Sequence, residues 1–241
     1  MITGSNDIVK VNSYHLENLE VTVEKLKEIK AKLVESSEDD VVCLFFAGHG
    51  LLDQELNYFL AAHNVNFQNP SDGGIPYEMF EDLVDGIPAR RKIVMIDACH
   101  SGEIDKDEVA WAENTEENVE TEENVEFRAV TTTGFKQVGL NNSFELMKEL
   151  FTDIRKSSGA LIISSAGGTE YAMEGSDWNN GVFTYSLLSG MSNGQADLNK
   201  DGKVMAGELN EYVRQKVSEL TNGRQTPTTR AEVIENDWRM W

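Results

Sequence analysis

Cysteine is scarce in this 241-residue chain, which has only Cys43 and Cys99. Two thiols are too few for a disulfide framework, and no Cys/His cluster has the paired spacing of a zinc site. Long apolar runs are lacking too, since none approaches the ~20 residues that span a bilayer. The start of the chain, ITGSNDIVKVN, has no features of a secretory signal. These absences exclude a disulfide-rich secreted scaffold and predict a cytoplasmic protein with reduced thiols.

Positive charge is the second shortage. Lys and Arg number 21 against 42 Asp and Glu, which gives a formal net charge of -21. Such a charge repels phosphate backbones and anionic lipid headgroups. The sequence therefore predicts neither a nucleic-acid nor a membrane partner, and it favours a cationic ligand.

What the chain does contain is an alternation of helical and strand patterns. Residues 17–34 have apolar residues at helical spacing, whereas VVCLFFA (41–47) and KIVMIDA (92–98) are short apolar runs typical of strands buried on both faces. This alternation predicts an α/β fold with a mostly parallel sheet and helices on both of its faces. Further strands are predicted at 56–62 and 160–166, and further helices at 77–87, 143–156, 182–191 and 207–220.

An acidic stretch separates the two parts of this pattern. It runs from Glu103 to about Phe127, and TEENVE occurs in it twice in tandem, at 115–120 and 121–126. Such a run is typical of a solvated loop. We therefore expect one domain (8–241) with an amino-terminal part (8–102), an acidic flexible loop (103–145) and a carboxyl-terminal part (146–241).

Two of the predicted strands end in reactive residues. The first runs into Gly48-His49-Gly50 and the second into Cys99-His100-Ser101-Gly102. Neighbouring parallel strands would bring His49 and Cys99 to one edge of the sheet, where ligands of α/β proteins collect. A cysteine attacks as thiolate, so it needs an imidazole to take its proton. The alternative is that Cys99 is a small buried hydrophobe and His49 a turn residue, and burial is the role we expect of Cys43.

These motifs resemble those of a known family. GHG (48–50) and DACHSG (97–102) are similar to the His and Cys motifs of the caspase-like cysteine peptidases, and His49 lies 50 residues before Cys99, as in caspases. DACHSG is closer to the metacaspase and bacterial caspase-like branch than to QACRG-type animal caspases. The similarity continues through SSAGGTEYAMEG (164–175), NNGVFTYSLL (179–188), DLNKDGKVMAGELNEYV (197–213) and GRQTP (223–227).

The resemblance implies a caspase-like α/β fold and cleavage of peptide bonds. Cys99 would be the nucleophile and His49 the base, with the backbone N–H groups of Gly50 and Cys99 as the oxyanion hole. This chemistry requires no cofactor, and His100 is expected to face away from the reacting pair. Family members normally open with a central strand and helix that this sequence lacks, so we expect an excised catalytic region with room for an upstream regulatory domain.

The same resemblance suggests which peptide bonds are cleaved. No Arg adjoins Cys99, whereas Asp97, Ser164 and Glu174 occupy positions similar to the primary pocket of metacaspase-like enzymes. Two carboxylates there imply protein or peptide substrates with Arg or Lys at the cleavage site. The alternative is that Asp97 caps a local turn and Glu174 is a solvated surface acid. Under the basic reading, Arg128 and Lys136 become candidate sites of self-cleavage, because they follow the acidic loop.

Residues 197–208 match the calcium loop of an EF-hand. The match places Asp197, Asn199, Asp201, the carbonyl of Lys203 and the bidentate Glu208 at ligand positions. The alternative is an Asx-rich turn whose side chains cap a helix beginning near Ala206. Two further functions therefore stand beside the peptidase: a calcium-responsive binding module, and a catalytically silent caspase-like scaffold, although such a scaffold would be expected to lose His49 or Cys99.

Overall fold

The structure, a computed structural model, describes residues 10–53, 55, 57–101, 125–127, 159–166, 172–175, 178, 180–231 and 237–240. The α-helices in these residues are α1 (Val23–Leu33), α2 (Tyr77–Asp82), α3 (Val182–Ser192) and α4 (Ala206–Leu220). The strands are β1 (Val41–Leu52), β2 (Tyr58–Leu60), β3 (Ile75–Pro76), β4 (Arg91–Ser101), β5 (Val125–Phe127), β6 (Ala160–Ser164), β7 (Met173–Gly175), β8 (Asn180–Gly181) and β9 (Thr228–Ala231).

Most of the predicted elements are present, with shifted ends. The predicted helix 17–34 is shorter, because Thr22 starts α1 by accepting a hydrogen bond from the Lys25 N–H at 3.2 Å. Both reactive motifs lie inside strands rather than after them, since β1 continues to Leu52 and β4 to Ser101. The predicted helix 143–156 and nearly all of the acidic loop lie outside the described residues.

Six strands form the main sheet in the order β3-β2-β1-β4-β6-β9. The pairs β1–β4 and β4–β6 are parallel, whereas β2, β3 and β9 run antiparallel to their neighbours. Three short strands form a second sheet in the order β5-β7-β8. This mixed sheet with a parallel centre and flanking helices confirms the predicted α/β class. None of the described helices is both long and apolar enough to span a bilayer.

Helices α1 and α2 cover one face of the main sheet. Every second residue of β1 points toward them, and the rings of Phe46 and Phe80 meet edge to face with centroids 5.9 Å apart. Alternate residues of β4 join the same cluster, among them Val94 and Ile96. The period of two along both strands follows from the pleat of extended backbone.

Helices α3 and α4 cover the other face, but only in part. They pack on a set of side chains from β4 and β6 that are at most 4% exposed, namely Ile93, Met95, Leu161 and Ile163. We call this set the covered half of the face. Burial of each such side chain contributes about 1.5–3 kcal/mol, so α3 and α4 are held firmly to this part of the sheet.

The sequence predicts that β1 is buried on both faces. This is wrong for the face of β1 that lies on the same side of the sheet as the covered half. Cys43 and Ala47 are exposed there, and Phe45 keeps 47% of its surface exposed. We call these three positions the open half of the face. Their register partners on β4 include Ile93 and Met95, so burial changes completely within one strand spacing. The expectation that Cys43 is buried is wrong for the same reason.

The far edge of β1 is open along most of its length in the described residues. β2 pairs with β1 only from Gly50 to Leu52, and the Ala61 N–H adds a hydrogen bond of 2.8 Å to the carbonyl of His49. Between Val41 and Gly48, the described strand pairing is with β4 alone.

Candidate active site

His49 and Cys99 are register partners in the parallel pair β1–β4. Adjacent strands lie about 4.8 Å apart, so the fold brings the two positions as close as neighbouring strands allow. The pair lies near the carboxyl ends of both strands. The structure does not describe the side chain of Cys99, so it establishes only the backbone geometry of the pair.

His49 is half-buried at the end of the open half. Its ring meets the ring of Phe67 edge to face, with centroids 6.4 Å apart. Its carbonyl is held by the N–H of Ala61. The backbone bond and the aromatic contact together hold the imidazole in place.

Gly50 is required at its position by packing. A Cβ built there would overlap the hydroxyl of Tyr58, which is 2% exposed. Gly50 stands opposite Leu60 of β2 and His100 of β4. The role of its N–H in an oxyanion hole stays a prediction.

Asp97 lies two residues before Cys99 inside β4 and is fully buried. One of its carboxylate oxygens, Oδ2, accepts a hydrogen bond from the hydroxyl of Thr184 in the first turn of α3. Asp97 thus lies within a strand and is bonded to a helix, an arrangement that differs from the turn cap considered as its alternative. A buried carboxylate is costly unless hydrogen bonds or a cation compensate it.

Glu174 and Ser164 lie in different parts of the structure. Glu174 is half-buried in β7 and pairs with Gly181, the residue that precedes α3. Asp97 and Glu174 thus both adjoin the start of α3. Ser164 is 1% exposed and stands opposite Ile96, on the face of the sheet turned toward α1 and α2. The structure therefore does not bring Ser164 together with Asp97.

Thr184 and Gln225 are two residues that the sequence reasoning missed. Thr184 is a hydroxyl within an apolar helical run, which was its only signal. Gln225 lies in the GRQTP stretch and is fully buried. It donates to the carbonyl of Ser165 and accepts from the N–H of Met173, each at 2.7 Å. A buried amide was not foreseen there, because both of its partners are backbone groups distant in sequence.

The calcium-like loop folds its acidic side chains onto its own backbone. Asp197 accepts hydrogen bonds from the N–H groups of Asp201 and Gly202 at 3.1 and 2.9 Å. Asn199 accepts from Asp201 N–H at 2.8 Å, and Asp201 accepts from Lys203 N–H at 2.9 Å. Gly202 has a φ of 81°, which favours glycine.

Glu208 closes this loop from the helix side. Its carboxylate accepts from the N–H groups of Asn199 and Met205, both at 3.1 Å, as α4 begins at Ala206. An EF-hand and an Asx-rich turn share these bonds, so the oxygen-rich donor set fits calcium without deciding between the two. A cluster of three or more His, Cys, Asp or Glu side chains placed to hold a metal is not found in the described residues. Arg128 and Lys136 lie outside those residues.

A histidine and a cysteine at paired register positions, near the carboxyl ends of two parallel strands, define an α/β protein suited to thiol chemistry at a sheet edge. The caspase-domain family, Peptidase C14, matches residues 9–236, and the chain belongs to it. Membership confirms the resemblance seen in GHG and DACHSG. The family is one of cysteine peptidases that act on proteins, so protein substrates in general follow from it.

The other comparisons are less informative. A Geobacter sulfurreducens protein of solved crystal structure is similar to this chain with a TM-score of 0.49 and 16% identity, over 86% of this chain and 71% of that one. No curated protein matches the chain.

Proposed function

We propose that this protein is a cysteine endopeptidase that cleaves protein substrates after Arg or Lys through His49 and Cys99. The observation that carries the proposal is the pairing of these two positions across β1 and β4. Family membership over residues 9–236 supports the same reaction class.

In this reaction His49 takes the proton of the Cys99 thiol, and the thiolate attacks the scissile carbonyl carbon. The N–H groups of Gly50 and Cys99 hold the oxyanion. The imidazolium then gives its proton to the leaving amine, which releases the carboxyl-terminal product and leaves a thioester on Cys99. Water, deprotonated by His49, hydrolyses the thioester and restores the thiol.

The preference for a basic residue rests on Asp97 and Glu174. Asp97 is fully buried two residues before the nucleophile, and Glu174 pairs with the residue that precedes α3. A guanidinium or ammonium in this region would form charge-assisted hydrogen bonds with both carboxylates. A substrate residue that lacks the cation would form none of these bonds, so discrimination against neutral and acidic residues would be strong.

The reaction is tested with fluorogenic peptides on four proteins: wild type, Cys99→Ala, His49→Ala and the double variant. We expect each single change to remove most turnover, and the double variant to be scarcely worse than either, because residues that act as one unit are not additive. Circular dichroism controls for folding. Turnover that persists in Cys99→Ala would contradict the mechanism, and losses that simply multiply would contradict the paired roles.

The pocket is tested separately with a peptide library that varies the residue before the cleaved bond. Asp97→Asn and Glu174→Gln keep the shape of each side chain and remove its charge, while Glu211→Gln on the solvent side of α4 is the matched control. We expect lower kcat/KM for Arg and Lys peptides only in the first two variants. Preferred cleavage after Asp, or an unchanged preference in both variants, would refute the basic pocket even with Cys99 as nucleophile.

Self-processing after Arg128 or Lys136 is part of the same proposal. It would divide the chain into a larger amino-terminal and a smaller carboxyl-terminal piece. Incubation of the purified protein, followed by sequencing of new amino termini, tests it, with Cys99→Ala as the control. New termini at Ala129 or Gln137 would support it, and termini that also form in Cys99→Ala would point to a contaminating protease.

A catalytically silent scaffold is the second candidate, because family membership alone does not establish turnover. The peptide assay separates the two: an inactive wild type with normal folding would favour the scaffold. Calcium binding by residues 197–208 is independent of both and stays a proposal, supported by the oxygen-rich loop described above.

A further inference from the structure

Gln225 sits at the centre of a buried polar network beside the candidate site. Its Nε2 donates to the carbonyl of Ser165 at 2.7 Å, and its Oε1 accepts from the N–H of Met173 at 2.7 Å. Gln225 and Ser165 are fully buried, and Met173 is 2% exposed. One side chain therefore joins the end of β6 to the start of β7.

Each end of this bridge leads to a residue of the candidate site. The hydroxyl of Ser165 donates to the carbonyl of Ala98 at 3.2 Å, and Ala98 directly precedes Cys99. Met173 directly precedes Glu174, one of the two carboxylates of the proposed pocket. The bridge thus links the strand that carries the nucleophile to the strand that carries a pocket acid.

Gln225 is itself held in place by α4. Its backbone N–H donates to Thr221 Oγ1 at 3.1 Å, and the Thr221 hydroxyl donates to the carbonyl of Val217 at 2.8 Å. Val217 is fully buried in the cluster beneath α3 and α4. The described hydrogen-bond partners of Gln225 carry no charge, and the Thr221 hydroxyl also lies 3.2 Å from the carbonyl of Gln225.

We propose that Gln225 is a positioning residue that sets Glu174 relative to Asp97 and Cys99, and so determines how tightly a basic substrate residue is held. This inference rests on the proposed function. A carboxamide suits the task because it offers one donor and one acceptor at a fixed separation. Leucine offers neither, and an ionised carboxylate cannot donate to Ser165, so either would leave a buried backbone group unsatisfied.

The decisive experiment measures kcat and KM for Arg and Lys peptides across pH, with active sites titrated by an alkylating peptide. Gln225→Leu removes both side-chain hydrogen bonds and should raise KM at least about 10-fold, with little change in kcat. A merely structural role would instead lower the active fraction and leave KM unchanged.

In Gln225→Glu, a change of pH alone should restore or remove the hydrogen bonds made by the side chain at position 225. At about pH 5.5 the introduced carboxyl, whose pKa is raised by burial, is protonated and can both donate and accept, so its KM should match wild type. At about pH 8 it loses the proton, and KM should approach that of Gln225→Leu. Gln215→Glu makes the same chemical change on the exposed side of α4 and should follow wild type at every pH.

Amide hydrogen exchange at Met173 gives a readout that needs no activity. We expect faster exchange in Gln225→Leu and pH-dependent exchange in Gln225→Glu relative to wild type. Equal KM and equal exchange in all four proteins would overturn the proposal. If wild type cleaved no peptide, the peptidase function would fail first, and exchange at Met173 alone would decide whether Gln225 holds β7. If Gln225→Leu did not fold, the KM values of Gln225→Glu at the low and the high pH would test the proposal instead.

Discussion

The covered and open halves of one sheet face differ although their strands look alike in sequence. In the covered half, Ile93 and Ile163 are fully buried beneath α3 and α4, whereas in the open half Phe45 is 47% exposed. Apolar content alone therefore does not reveal which face of a strand is covered. Coverage depends on which helix reaches the strand, and a run of apolar residues carries no information about that.

The candidate catalytic pair lies where the two halves meet. His49 belongs to β1, which has the open half, and Cys99 belongs to β4, which has the covered half. Asp97 lies two residues before Cys99 and is anchored to α3 through Thr184. Cys99 and Asp97 thus lie on the strand with the covered half, and His49 lies on the strand with the open half.

The largest expected effect contrasts the two cysteines. Cys99→Ala should lower kcat/KM by at least about 10³-fold, since it removes the nucleophile. Cys43→Ala lies in the open half of β1 and should change kcat/KM by less than about 2-fold, as surface changes usually do. Peptide turnover measures both, and a large loss in Cys43→Ala would show that the open half takes part in catalysis.

A second contrast concerns stability. Ile163→Ala should reduce the free energy of unfolding by about 2–5 kcal/mol, because it leaves a cavity beneath α3 and α4. Phe45→Ala should cost less than about 1 kcal/mol, because its ring is half in solvent. Urea unfolding gives both values. Comparable losses would mean that another part of the chain or a partner covers Phe45 in solution.

Calcium binding would increase the difference between the two halves. Residues 197–208 lead directly into α4, so a bound ion would stabilise the helix that packs on the covered half. If the loop binds calcium, a free concentration 100-fold above Kd should stabilise the protein by about 2.7 kcal/mol. Glu208→Gln should remove this gain. Calorimetric titration is the direct measurement, and an absence of heat in both proteins would favour the Asx-rich turn.

The smallest effect is the reactivity of Cys43. Its side chain reaches solvent, yet the surrounding atoms desolvate the thiol and raise its pKa to about 11. A raised pKa keeps the thiol neutral, so about one molecule in a thousand is thiolate at pH 8. Alkylation of the Cys99→Ala protein by iodoacetamide should therefore be slow at pH 8 and rise about 10-fold per pH unit toward pH 10. Fast alkylation at pH 8 would show that the Cys43 thiol is more hydrated than the structure indicates.

The sequence by itself determined the class of protein and the adjacency of the two proposed catalytic positions. Alternating helix and strand patterns predicted the parallel α/β sheet, and reactive residues at the ends of two apolar runs predicted that His49 and Cys99 lie on neighbouring strands. These inferences succeeded because they depend on periodicity and on where strands end, which are local properties of the chain. The short strands β3, β5, β7, β8 and β9 gave no such pattern and were not predicted, and β5 lies in the segment expected to be a loop.

Only the tertiary structure decided what surrounds the pair. It placed Ser164 on the opposite face from Asp97, left Phe45 exposed, and joined Thr184 to Asp97 across 87 residues. It also showed that Gln225 bridges Ser165 and Met173, which lie 60 and 52 residues away. Such contacts form between groups distant in the chain, and their geometry depends on how helices pack on a sheet rather than on any local pattern.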